Sequence, residues 1–300
     1  MPASRRYLFI DILPELTMKI AALNIYPLKS ARGIALSERH CGFSGLQGDR
    51  IAVITDPDGR FITQRELPAL ARLSVRQRDQ GLEIEMDGAE TLFAAPHGTE
   101  RFDVTVWKDT VNAAGTAASV NETLSSWLER PVRLAFFDRQ ANRIASRDWI
   151  ETDTPVSFAD GFQLLVTTTG SLAALNADLA AQGAATVGME RFRPNIVLDC
   201  EDPWAEDGWT GITVAGVRID FVKPCSRCIM TTQDQMTGAR GGANPLPALG
   251  RQHMSGDRRV PGPLFGWNAV PRGEGILQVG DTVEITGERD EPWLLKKRRG

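Results

Sequence analysis

The densest chemistry in the chain lies in one short segment, Lys223-Pro224-Cys225-Ser226-Arg227-Cys228-Ile229-Met230-Thr231-Thr232-Gln233-Asp234. Its C-x-x-C admits three readings. A structural zinc site wants four ligands, but no second C-x-x-C and no closely spaced histidine pair accompanies it, and Cys41, Cys200 and the three histidines are scattered. A dithiol redox pair usually belongs to a βαβ unit, whereas this motif follows a strand pattern. The third reading is a single thiolate ligand to a soft metal. Lys223 and Arg227 would favour the thiolate, the form that binds metal. Asp234, six residues after Cys228, either orients a proton donor near the thiol or caps its own turn, as aspartates do. Elsewhere there is no G-x-G-x-x-G after a strand, no Walker motif, no G-x-S-x-G and no H-E-x-x-H, so no nucleotide or hydrolase site is legible.

The elements that must position these residues are mostly strands. Residues 19–26 alternate. Residues 51–54 and 60–63 flank Asp56-Pro57-Asp58-Gly59, a hairpin signal because Pro presets the turn and Gly accepts positive φ. Residues 73–78 and 82–86 repeat the pattern around Gln80-Gly81, and 102–107 alternate again. Further strands are expected at 195–199, 212–214, 217–222 and 276–285. Two helices stand out. Ser119 and Glu122 have capping-box spacing and predict a helix to about Glu129, before Pro131. A second helix is expected over 171–182, with Leu172, Leu175 and Leu179 on one face and Gly183 at its end. Residues 238–263 lack periodicity and read as a long loop shaping the pocket, with His253 solvated in it. Short strands at this spacing, with few helices, imply a β-rich α+β fold built on small barrels or sandwiches. The polar stretch 138–155 marks the domain boundary.

Composition narrows the function classes. The 300 residues are 42% hydrophobic and 24% charged, a globular balance. With 34 basic and 38 acidic residues the net charge is -4, which argues against a general nucleic-acid or membrane-surface binder. A local basic pocket is compatible with it. Four cysteines do not make a disulfide framework, and a reducing cytoplasm is expected. No apolar run approaches the ~18 residues of a membrane span. The first 17 residues read as an extension ahead of a start at Met18, and Lys296-Lys297-Arg298-Arg299-Gly300 as part of a solvated basic tail.

With these residues in view, the chain resembles the MOSC family. Cys225–Gly238 is similar to the core MOSC motif, and the whole arrangement to the two-part group of amidoxime-reducing components and bacterial YcbX-type proteins. Tyr26-Pro27-Leu28-Lys29-Ser30, Gly48-Asp49-Arg50, Thr63-Gln64-Arg65-Glu66, Arg191-Phe192-Arg193-Pro194-Asn195-Ile196-Val197, Pro263-Leu264-Phe265-Gly266 and Val279-Gly280-Asp281 resemble further family segments in the same order. The resemblance covers about residues 18–287. It implies an N-terminal MOSC β-barrel-like domain (18–135) packed on a MOSC β-barrel domain with a few helices (150–287), then a tail at 288–300.

The resemblance also implies a site. Cys228 corresponds to the thiolate ligand of a molybdenum ion carried by molybdopterin, with Cys225 as its neighbour. Lys29, Ser30 and Arg50 correspond to phosphate or pterin contacts, and Arg193 and Asn195 to a second group of contacts. Thr168 stands where the family has a cofactor-contacting hydroxyl, although Thr167-Thr168-Thr169-Gly170 departs from the usual sequence there. Taken without the family, each of these is equally a solvated strand end, a surface ion pair or a turn-capping residue. The implied activity is reduction of N-hydroxylated compounds such as amidoximes, hydroxylamines or N-hydroxylated purines. With no four further cysteines for an iron–sulfur cluster, electrons are expected from a separate protein. The alternative is a persulfide carrier, or a cofactor-binding protein without turnover.

Overall fold

In the computed structural model, residues 17–296 are described; the expected extension at 1–17 and the last four residues lie almost wholly outside them. The chain opens with β1 (Lys19–Ile25), β2 (Ile34–Leu36), β3 (Glu38–Gly42), β4 (Gly45–Leu46) and β5 (Ala52–Thr55). Then come β6 (Leu73–Arg78), β7 (Gly81–Met86), β8 (Leu92–Ala94), β9 (Arg101–Val106), β10 (Asp109–Gly115), helix α1 (Ala118–Trp127) and β11 (Arg133–Phe136). After a strandless stretch follow β12 (Leu164–Thr168), α2 (Thr169–Ala181), β13 (Ile196–Asp199), β14 (Trp209–Val214) and β15 (Val217–Ser226). Helix α3 (Leu246–Gln252), β16 (Leu264–Pro271), β17 (Gly275–Gln278) and β18 (Val283–Glu288) complete it.

An eight-stranded sheet, ordered β18-β14-β15-β16-β12-β13-β1-β2, forms the larger body. It curls until the start of β1 meets the start of β18, where Lys19 bridges Thr282 and the Val283 amide donates to the Met18 carbonyl. The apolar positions of its strands, among them Ile20, Leu23, Leu198, Ile219 and Trp267, fill the inside. The first two strands thus lie in a sheet made otherwise of the second half of the chain. A four-stranded sheet, β5-β11-β10-β9, and the β6-β7-β8 meander form the smaller body. Leu28, Ile54, Leu73, Ile84, Leu124 and Leu134 pack between them.

Local signals give way to packing in several places. The Asp56–Gly59 turn forms, its Asp56 Oδ1 accepting from the amides of Asp58 and Arg60. Residues 60–63 contribute only single bridges, because β5 pairs along its length with β11 instead. Helix α1 starts one residue before the expected capping box. Ala117 is its N-cap, with no side-chain cap. Ser119 lies inside the helix, and tertiary bonds fix it, Asn121 Oδ1 accepting from the Leu134 amide. The expected strand 276–285 is broken by a turn at Gly280, where φ is +95°, into β17 and β18. The expected loop 238–263 contains α3.

A buried polar seam joins α2 to β16. The Thr168 hydroxyl caps α2 by accepting from the Ser171 amide and donates to Glu206 at 2.9 Å. Ser171 donates to the same carboxylate at 2.8 Å. His253 is not solvated: it is 2% exposed, stacks on Trp204, and sets Nε2 2.5 Å from Asp207 and Nδ1 3.1 Å from the Leu264 carbonyl. Burial alone would lower its pKa, but two acceptors on one ring favour the imidazolium and raise it. Burial pushes the Glu206 carboxyl up to about 7. Between pH 4.5 and about 7 the folded chain therefore holds a proton at Glu206 that the unfolded chain has lost. Stability falls as pH rises through that window, and His253 extends the fall above 6.5. Glu206→Gln should remove on the order of 3 kcal/mol of this pH dependence. Urea denaturation of both proteins at pH 5 and pH 7.5 measures it; equal slopes would refute it.

Candidate active site

Tyr26–Ser30 leaves the large sheet at the end of β1 and enters the smaller body, where the Lys29 amide donates to the Ala52 carbonyl and the Ala52 amide to Pro27. This crossover, the loop before β5, the turn before β13 and the end of β15 surround an open cavity of about 180 Å³. Six of the eight expected site residues line it: Lys29, Ser30, Arg50, Arg193, Asn195 and Cys228. Arg65, Arg191, Arg227, Asp160 and Cys225 line it too. None of its lining residues comes from 238–263.

One ring organises the cationic wall. Tyr26, 4% exposed, carries the guanidinium of Arg50 over its ring at 4.4 Å and that of Arg193 at 4.2 Å. A cation over an aromatic face is stabilised by the ring quadrupole, more so when desolvated. Burial keeps the phenol neutral, pushing its pKa up to about 12 against the pull of both arginines, and its hydroxyl donates to the Pro194 carbonyl. Both Arg50 and Arg193 sit in left-handed backbone conformations, with φ of 48° and 55°. Such strain in non-glycine residues persists only where surroundings over-determine it. For Arg50 they do. Its amide donates to Tyr26, and Nη1 donates to Asp49 at 2.5 Å and to Asn195 Oδ1 at 2.9 Å. Asp49 in turn accepts from the Tyr26 amide at 2.8 Å. Burial disfavours the Arg50 charge, and the Asp49 carboxylate more than restores it. Among the described residues Arg193 has no carboxylate partner; burial lowers its pKa to about 10, still charged at neutral pH.

Asn195 is 1% exposed, and both ends of its side-chain amide are engaged. Oδ1 accepts from Arg50 and from the Leu165 amide, and Nδ2 donates to the Asn24 carbonyl. It joins β1, β12 and the arginine, and so acts on the cavity through Arg50. Lys29 is buried, with Nζ 2.5 Å from Asp160. Burial lowers its pKa despite that partner.

Both thiols of the C-x-x-C line the same cavity. Arg227 donates from Nη1 to Cys225 Sγ at 2.9 Å and from Nη2 to the Phe192 carbonyl at 2.6 Å. Cys228 begins a short 3-10 turn, and its carbonyl accepts from Thr231. Lys223 does not reach the thiols, for its ammonium lies over the Trp149 ring. All four cysteines are free. Among the described residues no three His, Cys, Asp or Glu side chains gather in a metal-binding group.

Two expected residues sit elsewhere. Asp234 Oδ1 accepts from the amides of Met236 and Thr237 and from the Thr237 hydroxyl. It caps a turn and does not line the cavity. Those bonds hold its carboxyl below the usual range. Thr168 is buried in the seam above and does not line the cavity either, because Glu206 and the α2 cap take its hydroxyl.

Comparison with known proteins gives the family. The MOSC N-terminal beta barrel domain model matches residues 17–131, and the MOSC domain model matches residues 153–284. The chain is 30% identical to human mitochondrial amidoxime-reducing component 1 over 296 residues, covering 90% of this chain and 83% of that protein. It is 28% identical to the macaque mitochondrial amidoxime reducing component 2, over 88% of this chain and 82% of that one. The zebrafish component 1 is similar at the same identity and 88% coverage. The chain belongs to the MOSC family, in the branch of the amidoxime-reducing components.

Within this MOSC protein, the motifs name Lys29, Arg50, Arg193 and Cys228 but not the groups that hold them. Tyr26 and Asp49 stand inside the quoted motifs without a role, since neither ring stacking nor a carboxylate beneath a guanidinium has a spacing signature. Asp160 and Arg191 were not singled out. If Asn195 is the joint described, Asn195→Ala leaves an Arg50 N–H and the Leu165 amide unpaired. It should cost on the order of 2–4 kcal/mol, read by urea denaturation. A loss below 1 kcal/mol would show that the joint is dispensable.

Proposed function

We propose that this MOSC protein is a molybdenum-cofactor-dependent reductase of N-hydroxylated compounds, among them amidoximes, hydroxylamines and N-hydroxylated purines. The observation that carries the reading is the asymmetry of one cavity. Six cationic side chains (Lys29, Arg50, Arg65, Arg191, Arg193 and Arg227) and one carboxylate line it, with two thiols in its wall. The similarity to proteins named amidoxime-reducing components supports the reaction class.

The residues present fit a phosphate-bearing, thiolate-held group. Arg191 Nη1 is buried without a hydrogen-bond partner among the described residues, and Arg191 lines the cavity. A buried unpaired donor is costly unless a further group completes it. Cys228 would hold the metal through Sγ, while Lys29, Ser30, Arg50 and Arg193 would hold the phosphate and pterin by charge-assisted bonds. Asn195 would fix Arg50. Thr168 and Asp234 stay outside this proposed machinery because neither lines the cavity. When bound, the molybdenum centre would supply two-electron chemistry that removes oxygen from an N–OH group. The chain's own share is binding, orientation and charge.

Electrons would come from a separate redox protein, and the free cysteines fit a cytoplasmic setting. Among the described residues no helix is long and apolar enough to cross a membrane. Expressed in a host that makes the cofactor, the protein should carry near one molybdenum per chain by elemental analysis and reduce benzamidoxime with an artificial donor. Cys228→Ala should abolish turnover with an unchanged circular dichroism spectrum. Arg191→Ala should weaken cofactor retention about tenfold. Molybdenum absent, with sulfane sulfur on a cysteine, would favour the persulfide carrier instead.

A further inference from the structure

A second cavity, of about 430 Å³, is larger than the first and shares Arg193 with it. Small-molecule sites span about 300–1,000 Å³ and are lined mainly by apolar groups with a few placed polar ones. This cavity has that make-up. Its sheet side is the face of β1, β2 and β13 that bears Ala21, Ala22, Ala35 and Val197. The β1–β13 ladder shifts register between Ile20 and Ala22, and both alanines line the cavity as a bulge allows. Gly33 lines it too, and a Cβ there would fall 2.6 Å from Tyr26 Cε1. With nothing larger than a methyl group at Ala21, Ala22, Gly33 and Ala35, the sheet offers a flat apolar surface. Met189 and Met236 complete the lining beside it, and thioether sulfurs pack favourably on aromatic rings.

The polar groups of the cavity carry uncancelled positive charge. Arg32 donates from Nε to the Ala71 carbonyl at 3.0 Å and from Nη2 to the Met236 carbonyl at 2.5 Å. Arg193 donates to the Gln235 side-chain oxygen at 3.0 Å and lies over the Tyr26 ring. Neutral acceptors fix both guanidiniums in place, and among the described residues neither forms an ion pair with a carboxylate. The one carboxylate of the lining, Glu190, is 59% exposed and pairs with Arg191 at 3.9 Å.

We propose that this cavity is a second ligand site, which takes a planar aromatic carboxylate with its ring on the alanine face and its charge toward Arg32 and Arg193. Complementarity sets the class. An inorganic anion would leave the apolar face uncovered, and a neutral ring would leave both guanidiniums unanswered, whereas an aryl carboxylate meets both needs with charge-assisted bonds at one end. The site is independent of the cofactor reading, for Arg32, Ala35 and Met236 take no part in lining the first cavity.

The test titrates the purified full chain by calorimetry with 2-naphthoate, with 2-acetylnaphthalene as the ring without the charge and acetate as the charge without the ring. Naphthoate should bind at least about tenfold tighter than either control. Ala35→Leu, which fills the cavity, and Arg32→Leu, which removes a guanidinium, should each weaken naphthoate roughly tenfold. Ala35→Ser, which keeps the space, and Arg65→Leu, which alters the first cavity alone, should bind as wild type. Methyl-labelled methionine NMR on the unmutated protein locates the ligand without relying on any variant's fold. Naphthoate should shift the Met189 and Met236 methyl signals and leave that of Met230, which lines the first cavity, in place. A shift of Met230 alone, or a loss of binding in Arg65→Leu but not in Ala35→Leu, would put the anion in the first cavity and overturn the proposal. Naphthoate binding no tighter than the controls would overturn it as well.

Discussion

Like charges confined to one cleft repel, and six cationic side chains face a cavity of about 180 Å³. Two unit charges 4 Å apart interact by about 4 kcal/mol at the effective dielectric of a protein surface, so such a wall needs most of its charges answered. Arg50 is answered by Asp49, and Lys29 by Asp160. Arg50 and Arg193 both lie over the ring of Tyr26. Arg193 also donates to Gln235, and Arg227 to the Phe192 carbonyl. The answers are mostly neutral acceptors and ring faces rather than carboxylates. They hold the guanidinium groups in place without cancelling their charge, and a wall of fixed, uncancelled charge is what attracts and orients an anion without reorganisation.

The topology makes that wall and the barrel closure one event. β1 lies between β13 and β2 in the large sheet, far in sequence from its neighbour β13. Asn195, just before β13, accepts from Arg50 and donates to Asn24 on β1. Tyr26 follows at the end of β1. Separating β1 from β13 would therefore remove the ring that two arginines share and the amide that fixes one of them. Contacts this distant in sequence form late and cooperatively, so the cationic wall cannot assemble in either half of the chain alone.

What was legible in the sequence follows this division between local and distant causes. The β6–β7 hairpin and α2 were readable because turn residues and apolar period agree with the packing. The α1 cap failed because Asn121 and Ser125, bonded to Leu134 and Val132, decide where that helix sits. His253 looked solvated among arginines and glycines, yet Asp207, 46 residues upstream, buries it. Lys223 looked like a thiol neighbour, but β15 alternates its faces and delivers the ammonium to Trp149. Cys228, Lys29, Arg50 and Arg193 were named through motif order, and all four line the cavity. Asp160 and Tyr26 carry their roles only in three dimensions, so no spacing rule could name them.

The two thiols of the C-x-x-C are not equivalent, and the difference has a physical origin. The end of β15 must turn beside the cavity, and Arg227 fixes that turn by bonding Cys225 Sγ and the Phe192 carbonyl at once. Phe192 is 1% exposed and stacked on Phe265, so the anchor is rigid. Cys225 is spent as an acceptor in this clamp. Cys228 Sγ takes no hydrogen bond from the described residues, and Cys228 lines the same cavity at the start of a short turn whose backbone is tied by Thr231. Of the two sulfurs, Cys228 Sγ is the one left uncommitted by the described residues, which suits the ligand role proposed for it. The first cysteine of the motif thus takes part in fixing the turn that carries the second.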